Sequence, residues 1–328
     1  MRFKMKMGVY HCVSRVVDRR RVLGEAEREV MRKILWRVAD FCGAEVLTYC
    51  LMGNHFHILV RAGKAQAAIS ADQVYERAEA YYSGGKSLAQ MTQWAEISAA
   101  YRGKGEAWAA WERRLRSRMG DVSWFMRLFK QNFSVWFNRS GDRSGTLWER
   151  RFTSVLVEDA PLAVAAVAAY IDLNPVRAGL VKDPRDYRWC GYAEALARGK
   201  GKRPSLCRFF TAKDWKTALA RYRLMLFNKG ATARMGRATI SNEARKAVHV
   251  QKGEIGIGDL LRHRLRYFTA GGILGSRAFV EERFQAWRRF FGKNRRRGAH
   301  PMRGGNWEGL TTLRNLQKRT VEEPRLAE

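Results

Sequence analysis

Apolar positions near the start of the chain change period twice. Residues 8–17, GVYHCVSRVV, are rich in β-branched and aromatic side chains and predict a strand. EAEREVMRKILWRVADFCG, residues 25–43, has helical spacing with Gly43 as a stop. EVLTYCLM then predicts a second strand, and Gly53-Asn54 a two-residue hairpin turn. The next strand alternates, with Phe56, Ile58 and Val60 on one face and His55, His57, Leu59 and Arg61 on the other. From about residue 63 to 120 the pattern becomes polar, alanine-rich and aromatic, and it predicts a helical insertion. VSWFMRLFKQNFSVWFN is an amphipathic helix, GTLWERRFTSVLVE leads into a strand, and DAPLAVAAVAAYIDLNP is a helix that Asp159 would cap and Pro175 would end. This order predicts an α+β fold. Past DYRWCGYAEALARGKGKRPS the chain turns basic and glycine-interrupted, which sets a boundary between residues 1–196 and a mainly helical C-terminal extension, 197–328.

Composition narrows the partners. With 328 residues, 46% of them hydrophobic, the chain can bury a substantial core. Its net charge of +31 exceeds what solubility needs and indicates a polyanionic partner, most often nucleic acid. No apolar run approaches about 18 residues, and MRFKMKMGVY lacks the apolar stretch of a secretory signal, so a cytoplasmic protein with no membrane partner is expected. Cys12, Cys42, Cys50, Cys190 and Cys207 show no metal-knuckle or disulfide spacing and are expected to be reduced and mostly buried.

Two imidazoles on one strand face can ligate a single divalent ion, although H-x-H alone is more often an ordinary, partly exposed pair. Tyr170 shares a helix face with Ala163, Ala166 and Val167, and periodicity alone makes it a core residue.

The blocks YHCVSRVVDRR, GNHFHILV, NRSGDRSGTLWERRFTSVLV and YIDLNPVRAGLV, in that order, resemble the REP-associated tyrosine transposases, a branch of the single-tyrosine HUH transposases. The resemblance spans about Phe3 to Leu196, interrupted by the insertion. It implies a ferredoxin-like HUH nuclease domain in which His55 and His57 hold Mg²⁺ or Mn²⁺ and Tyr170 is the nucleophile. It also implies a substrate of single-stranded, hairpin-forming DNA. Asn174, four residues after Tyr170, stands where relatives place a glutamine ligand, but its side chain is shorter and Pro175 displaces it. His11 could approach the site if the first strand neighbours the histidine strand.

DNA contacts are expected from Arg15, Arg19, Lys130, Arg143, Arg151 and Arg177, with Arg20, Arg21 and Arg150 beside them. Trp148 and Phe152 could stack on bases but fit a core better. Arg288–Arg303 carries seven Lys/Arg and no acid, reading either as a DNA arm or as a solvated tail. Two alternatives remain beside the transposase: a DNA- or RNA-binding regulator on the same scaffold, and a hydrolytic nuclease in which a metal-activated water attacks. A homodimer is compatible with all three, and the sequence leaves open whether Tyr170 acts in its own subunit.

Overall fold

In the computed structural model the described residues are 3, 5, 7–63, 69–84, 88–198, 215–226, 261, 264–303, 305–315 and 321–322. Strand β1 (Met7–Arg15), helix α1 (Glu25–Cys42), β2 (Glu45–Leu51), β3 (His55–Gly63), α5 (Val122–Ser140) and β4 (Thr153–Val157) form a β-α-β-β-α-β unit. Its strands lie in the order β2-β3-β1-β4, all antiparallel, which is the ferredoxin-like arrangement. Three helices, α2 (Ala71–Tyr82), α3 (Leu88–Gly103) and α4 (Gly105–Arg116), make the insertion between β3 and α5.

Each element follows from local chemistry. Helix α1 stops at Gly43, whose φ of 59° is cheap only for glycine. At the hairpin tip, the Met52 N–H bonds the His55 carbonyl at 2.8 Å, leaving Gly53-Asn54 as the two-residue loop. That loop docks on the segment after β1, with Leu23 N–H on the Gly53 carbonyl at 3.0 Å and Val16 N–H on the Asn54 carbonyl at 2.9 Å. The start of β3 is therefore fixed on both sides.

The sheet is covered on both faces, which explains the nearly unbroken burial along β1 to β3. On one face Phe56 meets Phe129 of α5 with ring centroids 5.1 Å apart, beside Ile58, Val60, Tyr10 and Cys12. On the other lies α6 (Pro161–Asp172), buried at every position from Ala163 to Asp172 because its alanines allow close approach on all sides. Helix α6 begins with Pro161 in its first turn and has no side-chain cap. The expected cap, Asp159, instead receives two hydrogen bonds from the Arg61 guanidinium, at 2.9 and 2.7 Å. Helix α6 ends at Asp172, and Pro175 falls in the first turn of the short α7 (Asn174–Arg177).

After α8 (Gly191–Arg198), helix α9 (Trp215–Leu226) packs on α6. Tyr222 donates to buried Asp172 at 2.5 Å, and Thr48 of β2 donates to the same carboxylate at 2.7 Å. The chain then pairs β5 (Arg264–Leu265) with β9 (Val321–Glu322). It also forms α10 (Tyr267–Ala270), β6 (Ile273–Ser276), α11 (Arg277–Ala286), β7 (His300–Pro301) and β8 (Leu310–Thr312). Strand β6 runs parallel to β4, so the sheet continues across the 196/197 boundary to seven strands, β2-β3-β1-β4-β6-β8-β7. Phe3 closes the other end of the chain onto this region, 5.1 Å from Trp287. Cys12, Cys42, Cys50 and Cys190 are buried thiols in no disulfide, and Cys207 lies outside the described residues. Among the described residues no helix is long and apolar enough to cross a membrane.

Candidate active site

Register places the candidate residues on the α6 face of the sheet. Opposite His57 stands Val13 and opposite His55 stands Arg15, so His11 is the diagonal neighbour of His57 across β1 and β3. The His55 and His57 rings are 5.2 Å apart, and His57 and His11 are each 6.1 Å from the Tyr170 ring on α6. Residues more than 100 positions apart in sequence thus converge on one patch.

The protons on these imidazoles can be assigned from the hydrogen bonds. Asn54 donates its amide nitrogen to the Arg19 carbonyl at 2.9 Å, which fixes the amide so that its oxygen faces His55 Nδ1 at 2.6 Å. An amide oxygen only accepts, so His55 Nδ1 carries a proton, and Nε2 is the nitrogen left to ligate a metal when the ring is neutral. The second assignment starts at the Phe268 carbonyl, 2.7 Å from His11 Nδ1, which must therefore donate. His11 is fully buried, and desolvation pushes its pKa down to about 4, so the ring is neutral and Nε2 can only accept. Its partner at 2.9 Å, His57 Nδ1, is then the donor, and His57 Nε2 carries no proton. Burial, then the neighbouring His11 and His55, hold the His57 pKa well below the ordinary histidine range.

This donor set suits a divalent ion. A ligating imidazole must offer a bare nitrogen, which His57 does through Nε2 and His55 does through the same atom in its neutral form. Two imidazoles leave coordination positions for oxygen ligands from substrate and water. Among the described residues no group of three or more His, Cys, Asp or Glu is placed to hold a metal by itself.

Tyr170 is 2% exposed. One face of its ring stacks on Phe268 at 4.8 Å, and the Arg177 guanidinium lies 4.2 Å from the ring centroid. Arg177 also donates to the Tyr170 carbonyl at 2.5 Å and the Leu261 carbonyl at 2.7 Å. This expected phosphate contact is thus folded around the tyrosine. Asn174 donates its amide nitrogen to the carbonyls of Tyr170 and Ile171, at 3.3 and 3.1 Å, and so completes the end of α6.

The other basic candidates are spread out. Arg15 lies at the site by register, and the Arg19 carbonyl braces its turn. Lys130 donates to the Arg150 carbonyl at 2.7 Å and sits 5.3 Å from the Trp148 ring centroid, Arg143 lies 5.3 Å from that of Phe137, and Arg151 is exposed. Trp148 and Phe152 are both buried, with Trp148 packed on Phe56 and Phe133. Phe268 carried no sequence signal, since an apolar residue 98 positions beyond Tyr170 declares neither its ring stacking nor its carbonyl.

A family model for IS200-like transposases matches residues 4–77, which include both histidines and the β1-α1-β2-β3 scaffold beneath them. This segment is thus similar to the IS200-like transposases, and it contains two of the four sequence blocks that carry the resemblance, YHCVSRVVDRR and GNHFHILV. No curated protein matches. Among solved structures, a REP-associated tyrosine transposase bound to a REP hairpin is 16% identical, covering 62% of this chain and 92% of its own, at a TM-score of 0.37. A candidate transposase from Deinococcus radiodurans is 13% identical, covering 48% and 85%, at a TM-score of 0.25.

Proposed function

We propose that this protein is a metal-dependent DNA transposase that cuts and rejoins single-stranded, hairpin-forming DNA through a 5′-phosphotyrosine at Tyr170. The observation that supports it best is the convergence of Tyr170 with His57, whose Nε2 carries no proton, and with the adjacent His55. The hairpin preference comes from the resemblance to REP-associated transposases, and the DNA partner also accords with the net charge of +31.

In this reading the phenol oxygen of Tyr170 attacks phosphorus in line. The Oη–P bond forms, the bond from phosphorus to the 3′ oxygen breaks, the phenol proton passes to solvent and the leaving 3′ oxygen takes one up. His55 and His57 would hold Mg²⁺ or Mn²⁺, which supplies Lewis-acid stabilisation of the charge that builds on the phosphate oxygens. Arg15, set opposite His55, adds fixed positive charge beside the phosphate position. The ester keeps the energy of the broken bond, so the freed 3′ hydroxyl can reverse the step and rejoin strands without ATP. Tyr170 is 2% exposed, with one ring face on Phe268, so the side chain has to become accessible for its hydroxyl to reach DNA.

The test is to incubate the protein with labelled single-stranded oligonucleotides and Mn²⁺ and to look for a denaturant-stable protein–DNA adduct. An adduct that disappears in Tyr170→Phe supports the reading. Cut DNA without adduct indicates a hydrolytic nuclease, and binding without cutting a regulator; either overturns it.

A further inference from the structure

The metal-ligand reading of His55 and His57 leaves one buried imidazole without a role. His11 is 0% exposed, lies on a strand core, and donates from Nδ1 to a carbonyl 257 residues away. Its other nitrogen meets His57 Nδ1 at 2.9 Å. An ordinary core position would be filled at lower cost by an apolar side chain, because a buried imidazole needs partners for both nitrogens. Here both partners are present.

We infer that the Phe268 carbonyl and His11 form a relay that sets the tautomer of His57, making His11 a positioning residue for the metal centre and the C-terminal region a contributor to it. This rests on the reading of His57 as a ligand. The Phe268 carbonyl can only accept, so it takes the proton of His11 Nδ1; neutral His11 then presents a lone pair at Nε2 and takes the hydrogen bond from His57 Nδ1–H. His57 is left with a bare Nε2. In a free histidine side chain the proton prefers Nε2, so without the relay a large share of the protein would carry the wrong proton at the ligating atom. Second-sphere hydrogen bonds of this kind also raise ligand basicity and fix ring orientation. The same Phe268 stacks on Tyr170, so one residue of α10 touches both halves of the site. Strand β6, which follows it, is pinned beside β4 by parallel pairing, and this holds the carbonyl in register with β1.

The tautomer can be read without any metal, by imidazole nitrogen NMR of the full-length protein in chelator. We expect a pyrrole-type signal at His57 Nδ1 and a pyridine-type signal at Nε2. In His11→Phe the pair should shift toward the reverse assignment and Mn²⁺ affinity should fall about 10- to 100-fold. His11→Gln keeps one donor and one acceptor and should restore much of both, which a purely space-filling role would not produce. An Nε2-protonated His57 in the native protein overturns the relay, and so does an unchanged tautomer and affinity in His11→Phe. If His11→Phe does not fold, the native spectrum and His11→Gln still decide. Should His55→Ala with His57→Ala leave Mn²⁺ binding unchanged, the ligand reading fails while the tautomer measurement stands on its own.

Discussion

At the scale of single residues, the buried imidazoles His11 and His57 are neutral, and the pH behaviour of the site follows from that. His11 titrates near 4 when folded against about 6.5 when unfolded, so between those values the unfolded chain binds the additional proton. Its contribution is fully present above about pH 6.5 and is lost as pH falls toward 4; for a shift of this size the loss is about 3 kcal/mol. His57 shifts in the same direction and steepens the fall. Urea unfolding in chelator at pH 7 and pH 4.5 should therefore show a much larger loss for the native protein than for His11→Gln; equal losses would refute the neutral assignment. Replacing both His55 and His57 by alanine should lower metal-dependent cleavage by about a thousandfold, since several kcal/mol of charge stabilisation disappear from the transition state. The two strand histidines were readable from H-x-H alternation. The tautomer assignment was not, because it depends on Asn54, Arg19 and Phe268, which meet only in the folded chain.

At the scale of elements, long periodic segments declared themselves and short ones did not. Strands β1 to β4 and helices α1, α5 and α6 appear where alternation, helical spacing and stop residues placed them. Strands β6, β8 and β7 have only four, three and two residues, too few to show a period. They exist because β4 offers an unpaired edge and the C-terminal chain supplies the partner. The start of α6 shows the opposite failure. Asp159 has the chemistry of a cap, but the Arg61 guanidinium competes for its carboxylate and Pro161 starts the helix without one. What fixes α6, and with it Tyr170, is the carboxylate at its far end. Asp172 takes hydroxyl hydrogen bonds from Thr48 on one side and Tyr222 on the other, joining β2, α6 and α9. Asp172→Ala would leave two buried hydroxyls without this acceptor and should cost about 2–5 kcal/mol. Tyr222→Phe, which removes one of the two bonds, should cost about 1 kcal/mol. Denaturant unfolding of the two variants measures both, and a cost under 1 kcal/mol for Asp172→Ala would show that the carboxylate does not hold the helix in place.

At the scale of the whole molecule, the basic run Arg288–Arg303 is a folded strap, and this changes how its role has to be tested. Arg288 donates to the carbonyls of Phe291, Gly292 and Lys293, and Arg295 to those of Arg297, Gly298 and Leu313, so these two guanidiniums hold the backbone. Glu281 accepts the N–H groups of Gly298 and Ala299, and a Cβ at Gly298 would fall 2.2 Å from Phe284 Cβ, which fixes the strap against α11. The remaining cations, Arg289, Lys293, Arg296, Arg297 and Arg303, are exposed, with Arg289 4.8 Å from the ring centroid of Phe290, itself 54% exposed. Exposed cations on the same strap as an open aromatic ring match the way single strands are gripped, by phosphate contacts and base stacking. Removing the region by truncation before Ala270 would strip β6 from the β4 edge and confound folding with binding. Replacing the five exposed cations by glutamine leaves every bond named above intact. That variant should melt like the native protein, bind single-stranded DNA more weakly, and show a shallower dependence of log affinity on log salt, by roughly 0.7 for each lost phosphate contact. Phe290→Ala should lose affinity, by about 1–3 kcal/mol, with the salt slope unchanged, because stacking releases no counterions. If the glutamine variant keeps the native affinity and slope, the strap does not touch DNA, and the charges that matter are those of the catalytic face, beginning with Arg15.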